Sequence, residues 1–279
     1  VHRLRRLRAD PAAAALIGGR DVTPHYQRWI AAHEGLSAAA RAARMESLAH
    51  RPRISVILPV HDPAPDLLAA AIASVRDQSY PDWQLCICDD ASSDPAVIAL
   101  LDQAAASDPR IILTRRRDNG HISRASNDAL ATADGDYVTF LDHDDALAGD
   151  ALLWVATAIN EHPGARLLYS DEDKIDERGE RFAPHFKPDW SPELILGQNY
   201  VCHLAVYRRD LVAAVGGLRP GYEGSQDHDL VLRASARLKP VEIHHIPRVL
   251  YHWRAAVGST AFELTAKPYA LLAGQRAVA

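Results

Sequence analysis

Three carboxylates lie within four residues at the end of an apolar run, and they are the strongest chemical signal in the chain. The run at 137–141 has strand character, and Asp142, Asp144 and Asp145 follow it directly. Side chains alternate between the faces of a strand, so Asp142 and Asp144 point the same way if the extended conformation continues. Two like charges side by side repel, and a divalent cation shared with phosphates compensates them. An acidic turn that caps the next helix is the alternative.

The elements that position these acids are short apolar strands alternating with helices. Strands are predicted at 54–60, 83–88, 110–114 and 137–141, with helices from about 65, 95, 122 and 150. Such alternation predicts an α/β fold with a mostly parallel, Rossmann-like sheet flanked by helices.

The pattern changes along the rest of the chain. Residues 1–51 are rich in Ala and Arg and predict a helical N-terminal extension, and 261–279 predict a helical tail. Between them we expect one main domain, 52–260, divided after residue 146. Its segment 171–190 is charged with few periodic signals. Further helices are predicted near 192–197, 208–215 and 227–238, and strands near 200–207 and 242–246.

Composition limits the classes of partner. The chain has 279 residues and a formal net charge of −5, so no overall basic field indicates nucleic acid. The local run Arg3, Arg5, Arg6 and Arg8 predicts a solvated helix face, with a peripheral membrane contact as the open alternative. No apolar stretch approaches the ~20 residues of a membrane span. Three cysteines without framework spacing fit a reducing compartment, so we expect a cytoplasmic protein, or one at the inner face of the membrane. A chain that begins with Val is expected to be part of a longer, multidomain protein.

Acids collect where ligands of such a sheet bind. His61 and Asp62 follow the first strand, Asp89 and Asp90 follow the second, and the acids described above follow the fourth. Ligands of open parallel sheets bind beyond the carboxyl ends of the strands. Neither a glycine-rich dinucleotide loop nor a Walker loop follows the first strand. A metal bridge is therefore the predicted means of holding phosphates.

Six motifs in order along residues 52–260 carry a family resemblance. They are Ile54–Asp62, Cys88–Asp94, Asp118–Gly120 with Asn127, Phe140–Asp145, Gly224–Leu230 and Tyr251–Arg254. Together they resemble the family-2 inverting glycosyltransferases with the A-type fold, and most of all those of bacterial O-antigen and surface-polysaccharide assembly. The resemblance implies a metal-dependent enzyme with a UDP-, dTDP- or GDP-sugar donor and a glycan or lipid-linked acceptor. Residues 52–146 would form the nucleotide-binding half and 147–260 the acceptor half.

The resemblance also implies roles for individual residues. Asp90, and next Asp89, would read the nucleotide; the full implied nucleotide set is Pro59, His61, Asp62, Asp89, Asp90, Asn119, Asn127 and Asp142. Asp144 would hold Mg²⁺ or Mn²⁺, and Asp142 would contact the ribose or the metal shell. His252 would complete that shell or touch the diphosphate, with a purely structural histidine as the alternative. The implied donor-sugar or acceptor contacts are Asp171, Asp173, Gln226, Trp253 and Arg254. A solvated loop for the two acids and a core position for Trp253 are the alternatives.

The resemblance implies that a general base lies near the start of the predicted helix at 227–238, and helix geometry favours Asp227 for that role. Leu230, Val231, Ala234 and Leu238 define the inner face of the predicted helix at 227–238, and Asp227 lies three and four residues before that face begins. Asp227 is therefore predicted to point inward and take a proton from the acceptor hydroxyl. The alternative is an acid at a helix start that interacts only with the helix dipole. Asp229 is expected to pair with Arg233 on the solvent side. The family usually has Glu at the position of Gln226.

Two other functions remain open. One is a catalytically silent sugar-nucleotide or glycan-binding domain of a larger assembly protein. The other is an Asp-x-Asp metal-dependent phosphatase, which is disfavoured because Ala146 stands where that class has Thr or Val.

Overall fold

The computed structural model describes residues 23–176, 178–255 and 268–279. Predictions for 1–22, including the basic run, and for 256–267 lie outside the described residues. The strands are β1 Ile54–Val60, β2 Trp83–Asp89, β3 Ile111–Arg115, β4 Tyr137–Phe140, β5 Ala146–Leu147, β6 Leu167–Ile175, β7 Arg181–His185, β8 Ala205–Arg208 and β9 Ile243–Arg254. The helices are α1 Thr23–His33, α2 Ala38–Ser47, α3 Pro65–Arg76, α4 Pro95–Ser107, α5 His121–Leu130, α6 Ala151–Glu161, α7 Pro192–Gly197, α8 Arg209–Ala214, α9 Gln226–Ser235 and α10 Pro268–Val278, with a 3₁₀ turn at Pro240–Glu242.

One continuous sheet joins the nine strands. Its order is β3-β2-β1-β4-β8-β6-β9-β5, and β7 pairs with β6 outside this path. The strands β3, β2, β1 and β4 are parallel, as the alternating pattern predicts. Beyond β4 the sheet is mixed, because β8 runs antiparallel to both β4 and β6 while β9 runs parallel to β6.

The first half of the sheet forms because β1 and β2 are apolar runs that are buried at every residue. Parallel strands covered on both faces read as continuous hydrophobic sequence. One core cluster includes residues of α3, α4 and α6, and the other includes residues of α5 and α9. Val60 lies opposite Asp89, and the backbone N–H of Leu141 donates to the carbonyl of Ile57. The ends of β1, β2 and β4 therefore meet at one edge, where the acids lie.

Strand β6 differs most from the sequence prediction. It is nine residues long and continues through Asp171, Glu172 and Asp173, which are all buried. The predicted strand near 200–207 is shorter, so that 199–204 form a loop before β8. The strand expected near 242–246 continues to Arg254 as part of β9.

Helices outside the sheet dock by specific polar contacts. Arg41 of α2 pairs with Asp150 at the start of α6, with 2.6 Å between Nε and Oδ1. The Ser225 hydroxyl donates to the carbonyl of Ala270 in α10 at 2.8 Å. Within the described residues, every helix is too short or too polar to cross a bilayer.

Candidate active site

Two adjoining cavities open beyond the carboxyl ends of β1 and β4. The larger has a volume of about 300 Å³ and is lined by Pro59, Val60, His61, Asp90, Asn119, His121, Ile122, Ala125, Asp142, His143, Asp144 and Trp253. The smaller, of about 40 Å³, is lined by Pro59, Ile122, Ser126, Phe140, Asp142, Cys202, His203, Ala205, Tyr207, Leu218, Gln226, Asp227 and Leu230. Asp142 contributes to both walls. The structure therefore places Asp90, Asp144 and Asp227, which are far apart in sequence, around one connected cleft.

The acids after β4 gather with a histidine that the sequence analysis did not select. Ligand atoms of Asp142, Asp145 and His203 lie within 4.8 Å of one another. The His203 ring stacks on Tyr251, with 4.5 Å between ring centroids. His203 lies on the loop before β8, and its sequence context carries no local signal for a ligand.

Asp145 is held from both sides by β9. Its Oδ2 accepts a hydrogen bond from the Tyr251 hydroxyl at 2.6 Å, and its Oδ1 accepts one from the backbone N–H of Arg254 at 2.7 Å. The guanidinium of Arg254 donates to the carbonyl of Asp144 at 2.7 Å. Arg254 thus braces the backbone of the acidic segment.

Burial and mutual repulsion make these carboxylates costly to ionise. Burial raises the pKa of Asp142, and the Asp144 and Asp227 carboxylates raise it further, against the opposing effect of His203. Burial also raises the pKa of Asp145 well above its ordinary value, and Asp142 and Asp144 add to this rise. The cluster therefore has the charge and the oxygen donors that a divalent cation requires.

Asp90 also lines the larger cavity. Only 2% of its surface is exposed, and its Oδ1 accepts from the backbone N–H of Gly120 at 2.8 Å and pairs with Nε of Arg116 at 2.9 Å. His61, which also lines this cavity, donates from Nδ1 to the carbonyl of Asp90 at 2.9 Å. Arg116 is thus a neighbour of the predicted nucleotide contact that sequence reasoning did not identify.

Asp62 and Asp89 form turns and line neither cavity. Asp62 accepts hydrogen bonds from Ser93 and from the backbone N–H of Asp94, and the Asp94 bond is the main cause of its lowered pKa. Asp89 accepts from the backbone N–H of Ser92 at 2.9 Å and pairs with Arg115. Their predicted nucleotide contacts stay predictions.

Asn127 connects α5 to the turn before α9. Its Nδ2 donates to the carbonyl of Leu218 at 2.7 Å, and its Oδ1 accepts from the Leu218 N–H at 2.9 Å. A Cβ at Gly217, where φ is +68°, would meet Asn127 Oδ1 at 2.5 Å. This predicted nucleotide residue therefore lies outside both cavities and has another set of partners.

Asp227 lies at the start of α9 and faces the smaller cavity. Its Oδ2 accepts a hydrogen bond from Nδ2 of Asn199 at 2.7 Å. Gln226 lines the same cavity, while its Oε1 accepts from the backbone N–H of Gly224 at 2.7 Å. The inward orientation inferred from helix periodicity thus agrees with the structure.

The structure corrects the expectation for Asp229. The ion pair with Arg233 is present, with 2.7 Å between Nη2 and Oδ2, but the Asp229 side chain is fully buried. Arg219 pairs with the same carboxylate. Helix spacing predicted the partner correctly and its exposure wrongly, because the loop before α9 folds Arg219 over this carboxylate.

Asp171 and Asp173 lie in the buried strand β6 and line neither cavity. Asp171 accepts from the backbone N–H of Lys187 and pairs with His245, both at 2.8 Å. Asp173 pairs with Nε of Arg181 at 2.5 Å, and its Oδ1 lies 2.6 Å from Nδ1 of His252. The alternative of a solvated loop is therefore wrong, because both acids are buried in a strand. Their predicted sugar or acceptor contacts stay predictions.

The last residues of β9 lie beside the acidic segment. His252 lies opposite Ala146 in the antiparallel β5–β9 pair, and Trp253 lines the larger cavity. A carboxylate behind the ring is the usual support of a metal-binding histidine. Asp173 gives His252 this support. Among the described residues, the ligand atoms that come together are those of Asp142, Asp145 and His203, and neither Asp144 nor His252 belongs to this group. Its carboxylate oxygens and imidazole are donors suited to Mg²⁺ or Mn²⁺.

The amino-acid sequence matches a known family and is similar to the sequences of known proteins. Residues 55–216 match the family model Glycosyl transferase family 2. The O-antigen biosynthesis protein RfbC of Myxococcus xanthus is 40% identical over 273 residues, which are 96% of this chain and 21% of that protein. The uncharacterized protein y4gI of Sinorhizobium fredii is 49% identical over 248 residues, 88% of this chain and 27% of that protein. The chain thus spans about a quarter of the length of these two relatives.

Solved structures share the fold. S. aureus TarS in complex with UDP-GlcNAc superposes with a TM-score of 0.61 at 19% identity, covering 74% of this chain and 60% of that one. The mannosyltransferase PcManGT from Pyrobaculum calidifontis, in complex with GDP-Man and Mn²⁺, gives 0.55 at 19% identity, covering 90% and 67%. These similarities confirm the predicted fold class.

Proposed function

The chain belongs to glycosyl transferase family 2, and we propose that it transfers a sugar from a nucleotide-sugar donor to an acceptor hydroxyl with inversion at the anomeric carbon. One observation carries the proposal. Asp90 and Asp144 line one cavity, Asp227 lines its neighbour, and Asp142 belongs to both. A donor in the larger cavity would present its anomeric carbon toward the smaller cavity, which Asp227 lines.

The larger cavity is the proposed donor site. The buried Asp90 supplies a carboxylate that accepts from a base N–H or a ribose hydroxyl. The complexes of the structural neighbours with UDP-GlcNAc and with GDP-Man support a nucleotide sugar as ligand. UDP-, dTDP- and GDP-sugars are the candidates.

Asp142, Asp144 and His252, which the family resemblance implies, are the proposed holders of Mg²⁺ or Mn²⁺. Asp145 and His203 are further candidate donors, because their ligand atoms lie within 4.8 Å of those of Asp142 and of one another. When bound, such a cation neutralises charge on the diphosphate as it leaves. The Mn²⁺ in the PcManGT complex supports this proposal. Asp173 would orient His252 by accepting a hydrogen bond from its Nδ1–H group.

Asp227 is the proposed general base. Its carboxylate would take the proton of the acceptor hydroxyl as that oxygen forms a bond to the anomeric carbon. The bond from the anomeric carbon to the diphosphate oxygen breaks with its electron pair on the diphosphate. A single displacement from the opposite face inverts the configuration, and no protein nucleophile is required.

The acceptor and the biological setting are inferred from a relative of the chain. The name of the Myxococcus xanthus relative supports a role in O-antigen or other surface-polysaccharide assembly, with a glycan or lipid-linked acceptor. We further propose that this chain is the transferase part of a longer protein. A cytoplasmic location and a peripheral membrane contact stay predictions.

A thermal-shift screen tests the donor and the metal together. UDP-, dTDP- and GDP-sugars are added with and without Mn²⁺, and a donor present at 100 times its Kd should stabilise the chain by about 2.7 kcal/mol. Asp144→Ala should abolish the Mn²⁺-dependent part of the shift. Asp102→Asn, an exposed acid on α4 that lines neither cavity, should behave as wild type. The absence of any shift across all donors would overturn the proposed donor site.

Release of nucleoside diphosphate, with water as acceptor, tests the base. Asp227→Asn keeps the size of the side chain but removes the proton acceptor. It should retain the donor shift while its turnover falls by about 100-fold or more. Wild-type turnover in Asp227→Asn would remove Asp227 as the base.

A further inference from the structure

We propose that Asn199 is a positioning residue that holds the carboxylate of Asp227 in its reactive orientation. This inference rests on the proposed function, in which Asp227 is the base. Nδ2 of Asn199 donates to Oδ2 of Asp227 at 2.7 Å. Asn199 comes from the segment before β8 and Asp227 from α9, so the contact joins two separate elements at the smaller cavity.

The orientation of the amide is determined by a second hydrogen bond. Oδ1 of Asn199 accepts from the backbone N–H of Cys202 at 3.3 Å. A flipped amide would place its oxygen against the Asp227 carboxylate and its NH₂ against the Cys202 N–H, so that both contacts would be repulsive. The side chain therefore presents a donor to Asp227.

The loop that carries Asn199 is anchored by the buried side chains of Lys187 and Glu172. The Lys187 side chain is fully buried, and its Nζ donates to the carbonyls of Val201, at 2.8 Å, and His203. Glu172 pairs with this ammonium and accepts from the backbone N–H of His203 at 3.0 Å.

This arrangement leaves one oxygen of the base for chemistry. Among the described residues, Oδ2 of Asp227 accepts a hydrogen bond from Asn199, and Oδ1 accepts none. A neutral amide restrains the carboxylate without cancelling its charge, whereas a lysine or arginine there would form an ion pair. Since a misplacement of about 1 Å can cost 10²-fold in rate, restraint of this rotamer matters to turnover.

Two substitutions separate positioning from a merely structural role. Asn199→Ala removes both hydrogen bonds. Asn199→Asp keeps the size and the acceptor for Cys202 but places a carboxylate against Asp227. A structural role predicts that Asn199→Asp is the milder change, whereas the positioning role predicts that it is the more harmful one for kcat.

The experiment measures nucleoside diphosphate release with the donor that gives the largest thermal shift. We expect kcat to fall 10- to 100-fold in Asn199→Ala and further in Asn199→Asp, with donor KM and the donor-induced shift near wild type. Gln198→Ala, an exposed neighbour, is the matched control. Unchanged kcat in both variants, or a milder effect of Asn199→Asp, would overturn the inference.

The result is separable from the fate of the proposed function. If Asp227→Asn loses turnover while both Asn199 variants keep it, only the positioning role fails. If Asp227→Asn is fully active, the assignment of the base fails and the positioning role fails with it.

Discussion

Asp173 connects the N-terminal helix to the proposed metal site through one carboxylate. Its Oδ2 accepts from the Tyr26 hydroxyl at 2.7 Å and pairs with Arg181, and its Oδ1 contacts Nδ1 of His252. The side chain is fully buried, so its interactions are hardly weakened by solvent. A carboxylate behind a histidine orients the ring and raises its basicity toward a metal.

Removing this carboxylate should weaken metal binding without touching the cavity wall. Asp173→Asn is expected to raise the Kd for Mn²⁺ by about 10-fold, since partners behind a ligand typically contribute 10- to 100-fold. Free Mn²⁺ is measured by electron paramagnetic resonance during titration. Asp171→Asn, a buried acid of the same strand with His245 as partner, is the control. An equal loss of affinity in both variants would contradict the role of Asp173.

The buried carboxylate of Asp229 should be a determinant of stability. It lies between Arg219 and Arg233, and removing one partner of a buried ion pair costs several kcal/mol. We expect Asp229→Asn to lower the free energy of unfolding in urea by about 3 kcal/mol. Asp210→Asn, at an exposed pair with Arg208, should lower it by less than about 1 kcal/mol. Equal effects would show that burial does not strengthen the Asp229 pair.

At the scale of elements, the sequence predicted the strands whose burial follows from their own apolar residues and from the helices that alternate with them. Strands β1 to β4 and helices α3 to α6 follow from apolar runs, proline at helix starts and alternation. Strand β6 did not follow, because the charges at 171–173 are neutralised by residues far along the chain, among them Lys187 and His245. No local pattern reports such pairing.

The candidate site likewise contains residues that the sequence predicted and residues that it did not predict. The acids after β1, β2 and β4 were predicted at one edge because parallel strands end together. Asn199 and His203 were missed because they lie on a loop whose shape depends on the buried Lys187. Asp62 and Asp89 share the predicted edge but turn to the backbone of the next loop, a choice that depends on hydrogen bonds rather than periodicity.

Helix α1 should detach when its anchor is removed. Arg181 of β7 pairs with Glu34 just after α1 and with Asp173 in β6, at 2.5 Å each. Arg181→Gln is expected to speed amide hydrogen exchange in α1, because local opening no longer breaks these ion pairs, while β1 and β2 stay protected. Mass-resolved exchange measures both regions. Arg178→Gln, an exposed neighbour, is the control, and unchanged exchange in α1 would contradict the anchoring role.

At the scale of the whole molecule, buried tyrosines should make the free energy of unfolding depend on pH in alkaline solution. Burial is the largest cause that raises the pKa of seven of the nine tyrosines. They are Tyr26, Tyr80, Tyr137, Tyr169, Tyr200, Tyr207 and Tyr251, and each is at most 5% exposed. In the unfolded chain a tyrosine ionises near pH 10. Above that pH the unfolded chain releases protons that the folded chain keeps, so stability is full below about pH 10 and falls as pH rises.

The fall should be steep and should coincide with unfolding. Each such tyrosine lowers the free energy of unfolding by about 1.4 kcal/mol per pH unit above its unfolded pKa, so several together exhaust a stability of about 5–15 kcal/mol within one to two units. We therefore expect tyrosinate absorbance to appear together with the loss of helical circular dichroism above about pH 10.5. Tyr207→Phe, which removes one buried hydroxyl, should move the midpoint to higher pH, whereas Tyr269→Phe, at a residue 53% exposed, should leave it unchanged. Ionisation of most tyrosines in a chain that keeps its helical signal would show that burial does not control their titration.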